Sequence, residues 1–178
     1  MISLLKKRRS IRKFKTKRIE KEKITQLVNA VLRAPSSKNK NPWQFIVVTE
    51  KEKIKQLALA KPKGIAFLAN APLAMIMLAD PQRSDVWIED VSICSTITLL
   101  MAQNLGLGSC WIQIRNRNYS EDKTAGEFIK ELLSIPDQFR VQSIIALGYP
   151  NEAFAEKQIP ESKIKHVYLN QFGTQWKE

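Results

Sequence analysis

Two short stretches concentrate side chains that could hold an anion or a polar ring. The first is KKRRSIRKFK, residues 6–15. Arg8, Arg9 and Arg12 bring planar, fork-shaped donors and Ser10 a hydroxyl, a set suited to a phosphate or another flat anionic edge. The same composition also fits a nucleic-acid or general surface patch, so the cluster alone leaves those uses open. The second is APSSKNKNPWQFIVV, residues 34–48, where Pro35, Ser36, Ser37 and Asn39 precede an apolar run opened by Pro42 and Trp43. Either this loop joins a helix to a strand and does no more, or its hydroxyls and amide grip a polar ligand.

Several other chemistries lack their residues. His166 is the single histidine, which removes His-based triads and multi-histidine metal sites. Neither GxGxxG nor GxxxxGK[ST] occurs, and GLGS at 106–109 follows a helix and precedes a strand, the order of a helix stop rather than a phosphate loop. Cys94 and Cys110 form no CxxC pair and no disulfide framework; both read as small buried residues of a cytoplasmic protein. The net charge of +12 suits anionic partners. Much of it nevertheless lies on helix faces where acid and base alternate, as in IEKEKITQLVNAVLR and TEKEKIKQLALAK. Aromatic residues, 8% of the chain, show no clustered stacking pattern, so a nucleic-acid role has no motif behind it. MISLLKKRRSIRKF does not read as a secretory signal, and no run approaches the roughly twenty apolar residues of a membrane helix.

The elements that must position these residues follow from hydrophobic period. A chain of 178 residues suits one domain, 1–178. Ile24, Leu27, Val28, Val31 and Leu32 give an amphipathic helix over 20–33, and WQFIVVT reads as a strand. KEKIKQLALA is a second helix, LAMIMLA a strand buried on both faces, and 85–105 a helix apolar almost all round, expected to be central and buried. SCWIQI, TAGEFIKELLSI and VQSIIALGY continue as strand, helix and strand. This alternation alone fits a parallel α/β sheet, and periodicity leaves strand order and direction open. Beyond Asn151, Phe154, Ile159, Ile164, Val167, Tyr168, Leu169, Phe172 and Trp176 are scattered without helical spacing. An arm lying on a partner subunit would bury them, which points to a dimer.

RRSIRKF, APSSKNKNPWQF, IEDVSICSTITLLMAQNLGLGSCWI and ALGYP occur in this order between about Leu4 and Pro150. Together they resemble the nitroreductase-like FMN-dependent oxidoreductases. The resemblance implies an α+β sandwich: a mostly antiparallel central sheet flanked by helices, in an intertwined homodimer whose C-terminal arm, 151–178, crosses to the partner. It implies FMN at the dimer interface and NADH or NADPH as donor. Hydride would pass in ping-pong order through flavin N5 to a nitroaromatic, quinone or similar small acceptor, with no catalytic side chain required. Arg8, Arg9, Ser10 and Arg12 match the family's N-terminal flavin motif, Arg8 and Ser10 at the phosphate and Arg12 near the pyrimidine edge. Pro35, Ser36, Ser37 and Asn39 match the loop that lines the flavin from the other subunit, with Asn41 where the family usually has Gln. Cys110, Trp111 and Ile112 match the segment whose backbone reaches the ring. Gly148 and Lys157 would complete the phosphate site; Lys61 or Lys63 would add charge near the flavin, with no motif fixing either. Other flavin reactions on the scaffold (dehalogenation, enoate reduction, flavin breakdown), a non-catalytic flavin-binding role and a basic nucleic-acid-binding role remain alternatives.

Overall fold

The computed structural model describes residues 1–176. Four strands, β1 (Trp43–Val48), β2 (Leu73–Ala79), β3 (Gly108–Gln113) and β4 (Arg140–Gly148), form one sheet in the order β1-β2-β4-β3. Every neighbouring pair is antiparallel. The chain is thus α+β, and the parallel sheet that element alternation alone would give does not form.

Helix length goes with the direction each connection takes. Between β1 and β2 runs α3 (Lys51–Leu57), and between β3 and β4 runs α5 (Ala125–Leu132). Helices of seven and eight residues rise about 10–12 Å, whereas six-residue strands extend about 20 Å. Neither helix alone spans a strand's length, and each connection rejoins the sheet at the end it left, so the chain reverses direction. Only α4 (Trp87–Asn104), 18 residues and about 27 Å, spans that distance. Accordingly β2 and β3, which it joins, run parallel to one another with β4 between them.

The sheet is covered on both faces. On one, Leu73, Met75, Met77, Ile145 and Leu147 meet α4 and α2 (Lys21–Val31). On the other, Ala74, Ile76, Leu78, Ile144 and Ala146 meet α3 and α5. All seven residues of β2 are buried, as its unbroken apolar sequence requires. A bulge at Gln142, opposite the Met77–Leu78 step, brings Val141 onto the same side as Ile144. α5 opens with a capping box, Thr124 and Glu127 exchanging hydrogen bonds with each other's backbone N–H. α4 closes at Gly106 (φ +72), with Leu107 N–H donating to Ala102 O (2.8 Å) and Gly106 N–H to Gln103 O (3.2 Å). That is a Schellman closure, and it accounts for the helix stop read in GLGS.

α4 departs from its expected burial. Its sheet-facing side is Asp90, Val91, Cys94, Ser95, Thr98 and Ala102, which are small or polar. Glu89, Ile93, Thr96 and Asn104 on the opposite stripe are exposed, and Leu100 there is only half-buried. A helix apolar all round is therefore covered by its own chain on one side only. Two short helices, α1 (Ile2–Lys7) and α6 (Glu161–Ile164), bury no residue. No helix among the described residues is long and apolar enough to cross a membrane.

Candidate active site

Gly108 and Gly148 stand opposite one another in the β3–β4 ladder. A Cβ on Gly108 would meet Ile11 Cβ at 2.8 Å, and one on Gly148 would meet Pro72 Cδ at 2.6 Å and Phe14 Cδ1 at 2.8 Å. The glycine pair is thus the slot into which the N-terminal segment lies. Ser10 bridges Ser109 in parallel, Ile11 N–H donates to Ser109 O (3.0 Å), and Phe14 bridges Pro150 antiparallel. Glu152 closes the far side, its carboxylate accepting from the backbone N–H groups of Arg12 (2.7 Å) and Lys13 (3.1 Å). Gly148 therefore acts here by admitting Phe14 and Pro72.

The basic side chains on this segment differ in what they have left to offer. The Arg9 guanidinium donates to Lys6 O, Arg8 O and Ala155 O, so it ties the start of the C-terminal arm to the N-terminus. Arg8 makes no side-chain hydrogen bond among the described residues, and Arg12 makes only a long one to Ser10 O (3.5 Å) while lying over the Phe67 ring. Lys157 N–H donates to Lys6 O (2.8 Å). Its ammonium pKa is pushed down chiefly by Lys163, with Arg8 and Arg9 adding to the repulsion. Arg8, Arg9 and Lys157 thus converge from the two ends of the chain, and their mutual repulsion makes the corner receptive to an anion.

β3 forms the wall beside this corner. Cys110 and Ile112 are buried towards α3 and α5, and Trp111 packs towards α4 with its indole N–H on Gln113 Oε1 (3.1 Å). Ser109 turns its carbonyl to Ile11, so by strand parity the peptide groups of Trp111 also face the outer edge, beyond the reach of β4. Burial raises the pKa of the Cys110 thiol even though Arg12, Ser10 and Arg8 lie close enough to oppose it. Cys94, buried and beside Asp90, is pushed up to about 12. Neither thiol is poised as a nucleophile.

The loop 35–41 is contorted. Lys38, Asn39 and Asn41 adopt φ of 50°, 54° and 46°, the left-handed region that a lysine enters only at a cost. Its own polar groups hold that shape. Ser36 Oγ donates to Asn41 Oδ1 (2.9 Å) and accepts from Asn41 N–H (2.9 Å), and Asn41 Nδ2 donates to Asn39 Oδ1 (3.2 Å). Ser37 N–H donates to Asp90 Oδ1 (2.9 Å), whose other oxygen accepts from Ser84. Ser36 and Asn41 are thereby spent on the loop itself. The Ser37 hydroxyl and the Asn39 amide N–H groups have no partner among the described residues. The buried indole N–H of Trp43, next in the chain, has none either.

These two polar regions do not meet within one chain. The loop is fixed to Asp90, near the start of α4, at the β1 edge of the sheet. The arginine segment lies on β3, which follows the end of α4 at the opposite edge. From Asp90 to Asn104 the helix alone rises about 21 Å.

Known proteins carry the same plan. The model of the nitroreductase family matches residues 5–66 and 59–149. The chain belongs to the nitroreductase family. A solved structure described as an FMN-dependent nitroreductase from Clostridium difficile R20291 is 46% identical, with a TM-score of 0.92 over 97% of this chain and 100% of that one. An Archaeoglobus fulgidus protein, provisionally named NADH dehydrogenase/NAD(P)H nitroreductase, is 38% identical over 149 residues, 82% of each chain. The FMN reductase [NAD(P)H] of Bacillus subtilis is 28% identical over 96% of this chain and 75% of its own length.

Two residues of this candidate site have little or no signal in the sequence. Asp90 was legible in part, as a carboxylate at the start of an otherwise apolar helix run, IEDVSICS. Glu152 had no such signal, since nothing local marks its bond to backbone 140 residues away.

Proposed function

We propose that this chain is an FMN-dependent NAD(P)H oxidoreductase working as a homodimer on a nitroaromatic, quinone or similar small acceptor. The observation that carries the reading is the separation of its two polar regions by the length of α4. One chain supplies an anion-receptive corner and a wall of outward peptide groups; the loop with free Ser37 and Asn39 groups lies about 20 Å off. A second copy related by two-fold symmetry would bring its loop to the first copy's corner. The arm supports the same arrangement, since Phe154, Ile159 and Phe172 are 56%, 76% and 89% exposed in the single chain.

The residues fit an FMN. Its phosphate would be held by Arg8, Ser10 and Lys157, with Arg9 bracing the arm behind them. Arg12 would lie at the pyrimidine edge, where a guanidinium favours the negative charge that reduced flavin carries. Trp111 would offer backbone to the ring edge, with Cys110 and Ile112 filling the core behind it. Pro35, Ser36, Ser37 and Asn39 of the second copy would close the other side. Bound there, FMN supplies hydride acceptance and donation at N5. No side chain need give or take a proton for this chemistry, which agrees with the two unreactive thiols.

Truncation after Asn151, with mass and FMN content measured together, tests the reading. The truncated chain should lose both dimer and flavin. A monomer that keeps its full FMN would sink the proposal.

A further inference from the structure

A cleft of ≈ 430 Å³ is lined by Lys61, Pro62, Lys63, Arg117 and Asn118. None of the ion pairs among the described residues involves Lys61, Lys63 or Arg117. The Arg117 guanidinium reaches only its neighbour's carbonyl, Asn116 O (2.7 Å). The walls are fixed. At the Gln142 bulge, Gln142 O accepts from both Ile114 N–H (3.1 Å) and Arg115 N–H (3.0 Å), which ends β3 and turns the chain. Arg117 N–H then donates to Ile114 O (3.0 Å) and its carbonyl accepts from Ala125 N–H (2.9 Å). Opposite, Pro62 and Gly64 (φ +76) set the turn that carries the two lysines.

Burial, and next the charge of Arg117, lower the Lys61 pKa, while the Cys110 thiol acts the other way. Cys110 in turn feels Arg12 and Ser10, so the cleft adjoins the proposed flavin corner. Three cations held together without a counter-charge repel one another, and a dianion would relieve them all. An arginine fork with flanking ammonium groups matches phosphate oxygens.

We infer that the cleft between Lys61–Lys63 and Arg117–Asn118 binds a phosphate group of the nicotinamide dinucleotide donor. This rests on the reading of the neighbouring corner as a flavin site and adds how the donor is held there.

The test is binding of adenosine 2′,5′-bisphosphate, adenosine 5′-monophosphate and adenosine to the FMN-loaded full chain, for wild type, Arg117→Gln and Arg117→Lys. Wild type should bind the phosphates and not adenosine, more weakly as salt rises. Arg117→Gln should weaken them about tenfold, the step that about 1.4 kcal/mol produces. Arg117→Lys should recover part of the loss, and FMN content and reduction by dithionite should stay as in wild type. A loss confined to the bisphosphate assigns the 2′-phosphate, and an equal loss for the monophosphate assigns the 5′ side; both uphold the inference. Unchanged affinities in Arg117→Gln overturn it, as does adenosine binding as tightly as its phosphates. So does an effect seen only on KM for 4-nitrobenzoate against 4-nitrotoluene, which would mark an acceptor site. If the chain takes up no FMN, the proposed function falls, while bisphosphate affinity still decides the cleft.

Discussion

Gly108→Ala tests whether the glycine slot is what holds the arginine segment in place. The added methyl would sit 2.8 Å from Ile11 Cβ, 2.8 Å from Cγ2 and 2.9 Å from Cγ1. These atoms lie at the root of the side chain, so no rotamer change relieves the contact and the backbone at Ile11 must move. Overpacking of this kind costs about 1–3 kcal/mol. At about 2 kcal/mol, and with about 2–4 °C of Tm per kcal/mol for a chain of this size, Tm should fall by about 4–8 °C. Ile11 stands between Ser10 and Arg12, and its N–H bond to Ser109 O registers both. Losing one charge-assisted contact of about 1.5–3 kcal/mol would weaken FMN by about tenfold or more. Gly126→Ala is the control, because its Cβ would meet only Thr124 Oγ1 at 3.9 Å within α5, and helical alanine is favoured. Thermal melts and flavin-fluorescence titration read both quantities. Wild-type Tm and FMN affinity in Gly108→Ala would refute the slot.

Further substitutions test single contacts of the structure. Arg12→Ala should make the flavin midpoint potential more negative, whereas Arg9→Ala, whose guanidinium is already committed to carbonyls, should leave it near wild type; potentiometric titration distinguishes them. Ser37→Ala should lower FMN affinity several-fold at unchanged apoprotein Tm, whereas Ser36→Ala should also lower the apoprotein Tm, since it removes two bonds to Asn41 worth about 0.5–1.5 kcal/mol each. Hydrogen bonds from Tyr149 and Lys17 hold the Glu20 pKa at about 2 against an ordinary 4.5. Its folded-state pKa is depressed, so that stabilisation is complete above pH 4.5 and drains away as pH falls towards 2. In Glu20→Gln, Tm should therefore be lower at neutral pH and decline less steeply between pH 4.5 and 2, as pH-dependent melts will show.

Much of the framework was legible because it is written locally. LAMIMLA has the length and unbroken apolarity of a strand buried on both faces, and Gly106 ended its helix through a bond pattern that glycine favours. Sheet direction was not local in that sense. It depends on the path of each whole connection across the sheet, and α3 stops three residues before its apolar pattern does. Helix 85–105 misled for a related reason. Composition records how apolar a helix is, while burial depends on what covers each side; here Cys94, Ser95 and Thr98 face the sheet and Ile93 faces out.

The candidate site divided along the same line. Arg8, Arg9, Ser10 and Arg12 are close in sequence, so their grouping was visible; the tie of Arg9 to Ala155 and of the Arg12 backbone to Glu152 was not, because both partners lie far along the chain. Nothing local in EKQIP marks Lys157, and the backbone bond to Lys6 is what brings it beside Arg8. The loop 35–41 showed its polar groups plainly. Which were free for a ligand depended on Asn41 and on Asp90, 53 residues beyond Ser37.

The central claim is that bound FMN in this chain takes electrons from a nicotinamide donor and gives them to a small acceptor. Anaerobic titration of the FMN-loaded protein with NADPH and with NADH, followed by 4-nitrobenzoate or a quinone, measures both halves in one cuvette. The flavin absorbance should bleach stoichiometrically with at least one donor and return on adding acceptor. A flavin that stays oxidised with both donors, or protein that takes up no FMN at all, would contradict the account.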